Sequence, residues 1–450
     1  MSSLIIGLLG LVLLVVLLFM GKRVGLAMAF VGFVGVWYLK GFNMRGFNIA
    51  LGLMKNTTFG TLNNESLSVI PLFTLMGVVC AYAGISGDLY EACYKLVSRL
   101  RGGLAIATEI ACAFFAAICG SSTATTASMG KICLPEMDKF NYKRTLTCGS
   151  ISAGGTLGIL IPPSVGFMLY GINAGVGVGK MFIAGILPGI LLCVCYSCVI
   201  LVICAIDPAA GPKGPKFSAK EKLRSAVGVI PVLVLFALVL GGIMLGWCSA
   251  SEGAAVGAAG AFVFMVIKRK FTFKNLIASL KETAETTAMI FIIMIGANIL
   301  GDFFNLTGLP QAIANAAATA NVAPIFILLA CLLLYAVLGC FVDSLPLIVL
   351  LTPIFLPIIK DLELGFGGNT EAVTMWFGVL MVMLMQFGLM TPPVGLCCYV
   401  MSGVAKDTPL TTIFKGTAPF LIGIAVAIAI VMFFPAITTW LPGITSASAG

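Results

Sequence analysis

Two stretches of this chain place helix-breaking residues beside oxygen-bearing ones inside long apolar runs. The first is Gly158-Ile159-Leu160-Ile161-Pro162-Pro163-Ser164-Val165-Gly166; the second is Gly388-Leu389-Met390-Thr391-Pro392-Pro393-Val394-Gly395. A Pro-Pro pair removes two N–H donors and interrupts a helix. The carbonyls this frees in an apolar run are suited to coordinating a small hard cation. Two further polar segments interrupt apolar runs: Gly120-Ser121-Ser122-Thr123-Ala124-Thr125-Thr126-Ala127-Ser128, and Gly339-Cys340-Phe341-Val342-Asp343-Ser344. A half-helix that starts at the first aims backbone N–H groups and a partial positive charge at the protein centre. An anion can be held there without a buried Lys or Arg. Asp343 is a carboxylate within an apolar span, which is costly and functional by default.

These residues divide into two oxygen-rich sets for Na⁺. One set is Ser121, Ser122, Thr156, Gly158 and Pro162; the other is Gly339, Asp343, Ser344, Gly388, Thr391 and Pro392. The candidate contacts to an organic anion are Ser122, Thr123, Thr125, Ser164, Asn173 and Pro393. A competing structural reading is that small and hydroxylated residues serve close helix packing, and that Asp343 caps a tip. Asn298 and Asp302 lie late in a helix and can reach an interface. Glu109 lies early in a hairpin, where it can snorkel to the surface.

Composition dictates where such elements sit. Apolar residues make up 60% of the 450 positions and charged ones 10%, against about 25% charged in a soluble domain. The chain reads as an all-α polytopic membrane protein. A spanning helix needs about 20 apolar residues, which places helices near 4–20, 24–39, 66–86, 147–172, 182–205, 227–247, 250–267, 285–303, 372–402 and 414–440. Segments 104–136 and 323–359 are too long for one comfortable span and carry the polar tips. They read as re-entrant hairpins, tolerable only where buried or lining a cavity. Segments 42–62 and 271–283 read as interfacial arms.

The halves correspond in order. Gly77 and Gly120 match Gly296 and Gly339 at an offset of 219, and Pro162 matches Pro392 at 230. This divides the chain into a first repeat, 1–205, a cytoplasmic linker, 206–226, and a second repeat, 227–441. Each half holds an odd number of crossings plus a hairpin, so the repeats are inverted. Charge supports the count: every basic residue except Lys40, Arg45, Lys55, Lys180 and Lys360 falls on one face, which is cytoplasmic by the positive-inside rule. Both termini then face outward, hairpin 104–136 opens from the cytoplasm and hairpin 323–359 from outside. Helices 4–39 and 227–267 with the arms read as a scaffold around both hairpins and both broken helices.

Several functions are excluded. There is no histidine, which removes histidine metal sites, Ser-His triads and histidine proton relays. The net charge of +9 lies in loops between apolar runs, so it fits membrane topology and not nucleic acid. Gly175-Val176-Gly177-Val178-Gly179-Lys180-Met181 resembles a phosphate loop, but Ala174 stands at its first glycine and Met181 at its Ser/Thr. Nucleotide binding is rejected, leaving an ion gradient or passive movement. Ser122 and Lys131 are about 13 Å apart along a helix, too far for a hydrolase dyad. The cysteines, including Cys195 and Cys198, read as small hydrophobes. Trp37, Trp247, Trp376 and Trp440 read as an aromatic belt.

The run 120–130, Leu134-Pro135-Glu136-Met137, Leu160-Ile161-Pro162-Pro163-Ser164, Asp343-Ser344 and Thr391-Pro392-Pro393-Val394-Gly395 resemble the large membrane subunit of tripartite ATP-independent periplasmic (TRAP) transporters, over essentially the whole chain. The resemblance implies an elevator-type, Na⁺-coupled importer of an organic acid anion, such as sialic acid or a C4-dicarboxylate, in a bacterial inner membrane. It also implies two partners: a small membrane subunit of about four helices, and a soluble periplasmic binding protein. The alternative is a stand-alone Na⁺/dicarboxylate symporter of related fold.

Overall fold

The computed structural model describes residues 2–319, 322–342, 344–362 and 364–448; Asp343 lies outside them. Among the described residues the chain is helical, without strands. The first half runs α1 (Ser3–Phe19), α2 (Val24–Leu39), α3 (Met44–Leu62), α4 (Val69–Tyr82), α5 (Ile85–Val97), α6 (Gly103–Cys119), α7 (Ser122–Lys139), α8 (Arg144–Thr156), α9 (Val165–Ala174) and α10 (Val178–Ile206). A stretch containing α11 (Ala219–Ala226), α12 (Ile230–Phe236) and α13 (Gly242–Met244) follows. The second half continues with α14 (Ala250–Ile267), α15 (Phe273–Thr307), α16 (Leu309–Thr319), α17 (Pro324–Gly339), α18 (Ser344–Asp361), α19 (Thr370–Met390), α20 (Leu396–Val404), α21 (Leu410–Phe433) and α22 (Ala436–Ser448). Eight helical stretches among the described residues are long and apolar enough to cross a membrane.

The interruptions fall where the sequence places them. α6 and α7 pack together across Gly120 and Ser121. α8 gives way to α9 through Pro162-Pro163, and α19 to α20 through Pro392-Pro393; both Pro-Pro bonds are cis. Other boundaries differ. The helix expected at 66–86 ends at Tyr82, because Gly84 adopts a left-handed conformation and starts α5. α5 is too short and too polar to register as a span; it buries Ile85, Leu89, Tyr90 and Cys93 and turns Glu91 outward. The last eight residues of the expected linker form α11, started by a capping box between Ser218 and Glu221. The final helix, expected at 414–440, breaks at Pro435.

The arms are the largest departure. α3 stands apart from α4, since Asn63 caps its end and the Asn64 side chain accepts from Ser66 N–H. In the second half the arm and the helix after it are one 35-residue rod, α15. The joining residues, Lys281-Glu282-Thr283-Ala284-Glu285, contain no Gly, Pro or Asn to stop it. Trp376 also does not face outward, as a belt residue would. It is 2% exposed and its Nε1–H donates to the Val431 carbonyl at 2.9 Å.

α15 seats backbone to backbone on α2. A Cβ on Gly296 would lie 2.0 Å from the Gly25 carbonyl oxygen, and one on Gly25 2.7 Å from that of Ile292. Small residues permit this approach and the dispersion contacts it brings. Gly296→Val is therefore expected to lower the unfolding temperature of detergent-purified protein by an overpacking cost of about 1–3 kcal/mol. Gly301→Ala, on the same helix with open space beside it, should leave the temperature unchanged.

Candidate binding site

Each hairpin tip is built against a broken helix. Gly120 has φ +63°, and a Cβ there would meet the Pro163 carbonyl oxygen at 2.8 Å, so a side chain is excluded by both conformation and space. A Cβ on Gly158 would lie 2.6 Å from the Ser121 carbonyl oxygen. Ser121 is the N-cap of α7, and its carbonyl accepts from Thr125 N–H at 3.0 Å and Thr125 Oγ1 at 2.8 Å. Ser122 Oγ donates across the gap to the Thr156 carbonyl at 3.2 Å. Ser164, the N-cap of α9, donates its hydroxyl to the Ile159 carbonyl and accepts from Phe167 N–H at 3.4 Å. The second junction repeats the approach: a Cβ on Gly388 would lie 2.3 Å from the Gly339 carbonyl oxygen. Val394 N–H donates to the Cys340 carbonyl at 3.4 Å, and Thr391 Oγ1 to the Phe387 carbonyl at 2.6 Å.

A cavity of about 400 Å³ lies between these junctions and α15. Its lining includes Ser122, Val165, Ser344 and Leu396, which are the first residues of α7, α9, α18 and α20. Four helices thus begin at one cavity. Their leading N–H groups carry partial positive charge, the requirement for holding an anion without a basic side chain. Ser121 and Thr123 also line it, and α15 contributes Glu282, Thr286, Met289 and Ile290. Glu282 accepts from the Tyr82 hydroxyl at 3.2 Å.

The remaining candidates are distributed around this cavity. Thr156, Gly158, Thr125 and Ser164 sit directly behind its lining, all buried. Pro162 faces an apolar cleft shared with α10 and α12. Thr391 is half-buried at the second break, while Pro392 and Pro393 are exposed on the described surface. Asn173 lines a different cavity with Asn298 and Asp302, and its amide donates to the Val349 carbonyl at 3.1 Å. Glu109 does not snorkel. It is fully buried, with neither oxygen hydrogen-bonded, and the missing side chain of Gly154 leaves it room.

Sequence reasoning missed the group that joins the halves. The Gln386 Oε1 lies 3.1 Å from Thr156 Oγ1, which also contacts the Tyr196 hydroxyl at 3.2 Å and the Ala153 carbonyl at 2.7 Å. All three side chains are fully buried. Thr156 and Gln386 are 230 residues apart, the offset that separates Pro162 from Pro392. A lone amide in the apolar run before a break was the available signal.

Known proteins share this plan. Residues 11–437 match the family described as tripartite ATP-independent periplasmic transporter, DctM component. The chain belongs to that family. It is 34% identical over 385 residues to the C4-dicarboxylate TRAP transporter large permease protein DctM of Pseudomonas aeruginosa, covering 85% of this chain and 88% of the relative. It is 30% identical over 427 residues to the sialic acid TRAP transporter large permease protein SiaM of Vibrio cholerae, covering 95% and 96%. The fold is also similar to that of the YdaH transporter of Alcanivorax borkumensis, with TM-score 0.56, 15% identity and coverage of 87% and 89%. This DctM-component chain is a multi-pass transporter permease and not an enzyme.

Two substitutions probe the junction. Gly158→Ala is expected to push the Ser121 tip away from the break, and Thr156→Val to strand the Tyr196 hydroxyl and the Gln386 carbonyl. Each should lower the unfolding temperature, Thr156→Val by a cost of about 1–3 kcal/mol, read by scanning fluorimetry in detergent. Ser121→Ala, which removes a cap made at 3.5 Å and a 3.3 Å contact with the Thr123 hydroxyl, is expected to cost less than either.

Proposed function

We propose that this permease is the transport subunit of a sodium-coupled importer of an organic acid anion. The observation that carries this reading is the convergence of four helix starts on one cavity. An anionic group at Ser122, Thr123 and Ser344 would meet oriented N–H donors and hydroxyls. The relatives named for C4-dicarboxylates and sialic acid support a carboxylate substrate.

The donor chemistry fits Na⁺. The junctions offer main-chain carbonyls and the hydroxyls of Ser121, Ser122 and Thr156 on one side, and Ser344, Thr391 and the carbonyls of Gly339 and Gly388 on the other, with Asp343 adjacent in sequence. All are hard oxygen donors; among the described residues no His, Cys, Asp and Glu cluster suits a transition metal. A bound cation would supply positive charge beside the substrate carboxylate.

The movement we propose is an elevator, within two inverted repeats. The two hairpins and two broken helices form one body that slides along α15 and the outer helices. Two apolar clefts support a sliding contact: about 370 Å³ between the first hairpin and α12, and about 250 Å³ between the second hairpin and α1. The outer helices expose apolar side chains such as Leu8, Val12, Phe30 and Leu233, as lipid or a small four-helix membrane subunit requires. A soluble binding protein delivering substrate completes the assembly, in a bacterial inner membrane with both termini on the periplasmic side.

Uptake of labelled succinate and sialic acid into proteoliposomes tests this. Uptake is expected only with an inward Na⁺ gradient and only when both partners are present; uptake by this chain alone would instead establish a stand-alone symporter. Asp343→Ala should abolish Na⁺-dependent uptake at unchanged membrane abundance. Ser122→Ala should raise the half-saturating Na⁺ concentration about tenfold, the loss of one ligand-strength interaction; an unchanged Na⁺ dependence would remove Ser122 from the ligand set.

A further inference from the structure

The substrate cavity has a counterpart farther along the same rod. Glu282, Thr286, Ile290, Met294, Asn298 and Asp302 recur every four residues on α15 and so form one ridge of its surface. The first three line the cavity at the hairpin tips. The last three line a second cavity, of about 430 Å³, between α15, α3, α9 and α18. Along the ridge the order is acid, polar, apolar, apolar, polar, acid.

Each acid is held by a hydroxyl of the outer helices: Tyr82 donates to Glu282 at 3.2 Å, and Thr57 to Asp302 at 2.7 Å. Asn298 donates to Thr61 Oγ1 at 3.0 Å. These bonds close within α3, α4 and α15, so both polar stations belong to the outer body and stay formed when the hairpins move. Asn298 and Asp302 remain only half-buried, leaving their other polar atoms to the cavity. On the moving side that cavity is lined by Asn173, Val349 and Pro353, with no helix start among them. The second station therefore lacks the anion-holding half that the first possesses.

We infer that Asn298 and Asp302, braced by Thr61 and Thr57, form the stationary wall of the substrate site at the other end of the stroke. Raising the hairpin tips by about 18 Å, twelve helical residues, brings them from the level of Thr286 to that of Asn298. There the tips hold the carboxylate, while Asn298 and Asp302 take the hydroxyl or ammonium groups of the same organic acid. Met294 and Ile290 form the apolar girdle between stations. This rests on the elevator reading above.

The test uses introduced cysteine pairs in the assembled transporter, with linked peptides identified by mass spectrometry after a short bifunctional thiol reagent. Thr286→Cys with Leu345→Cys line one cavity here and should link, which shows that the variants fold. Asn298→Cys with Leu345→Cys should link as well. Thr123→Cys, in sealed vesicles of either orientation, should react with an impermeant maleimide from both faces. Reaction from both faces without an Asn298–Leu345 link overturns the second station and leaves the elevator standing. Reaction from one face only overturns both. Asn298→Leu should raise the half-saturating concentration about tenfold for whichever of labelled malate and sialic acid, both hydroxylated, the wild-type chain carries; an unchanged value overturns the hydrogen-bonding role.

Discussion

Every backbone N–H and C=O in an apolar surrounding must find a partner, and this chain interrupts its helices four times within apolar runs. An unpaired buried group costs several kcal/mol. The first junction meets the requirement by reciprocity. Thr125 caps the Ser121 carbonyl, Ser122 reaches the Thr156 carbonyl, and Ser164 serves both the Ile159 carbonyl and the start of α9. Neither the tip nor the break is tenable alone. Their mutual packing, closed to within van der Waals limits by Gly120 and Gly158, turns two local defects into one rigid unit. The cavity follows from it, because helices interrupted at the same depth must begin again there.

The outer body obeys a different rule. α15 contacts α2 through glycines at backbone distance, and its polar groups pair with α3 and α4 rather than with the hairpins. Opposite the hairpins the outer body offers apolar clefts. An interface of dispersion contacts has no fixed set of hydrogen bonds to break on sliding. In the proposed movement, that contrast lets one body shift against the other while each keeps its internal structure. The Thr156–Gln386–Tyr196 cluster is buried between α8, α19 and α10 and ties the two halves of the chain together.

Much of this was legible from residues alone. Pro-Pro pairs stop helices wherever they occur, so both breaks and both flanking glycine-rich segments follow from residue order. The hydroxyl run at 120–128 marked a helix start by the same local logic, since Ser121 needs only its own neighbours to act as a cap. The motifs at 120–130 and 391–395 led to the family. Boundaries set by weaker signals were harder: α5 is too short to carry a span, and α15 continues through its arm because the absence of a breaker is a quieter signal than its presence.

The amino-acid sequence determined where helices stop, which ends carry oxygen, and that the whole lies in a bilayer, because those depend on single residues and on composition. Which oxygens share a cavity was decided only by tertiary packing. Thr123 and Thr125 are near neighbours, yet Thr123 lines the cavity and Thr125 turns back to cap Ser121. Asn173 belongs to a second cavity, Pro162 to an apolar cleft, and Gln386 to the buried cluster with Thr156. Glu282 enters the site from a segment that reads as a peripheral arm. Such assignments depend on the angle and depth at which distant helices meet, and those are set by close approach of backbones hundreds of residues apart.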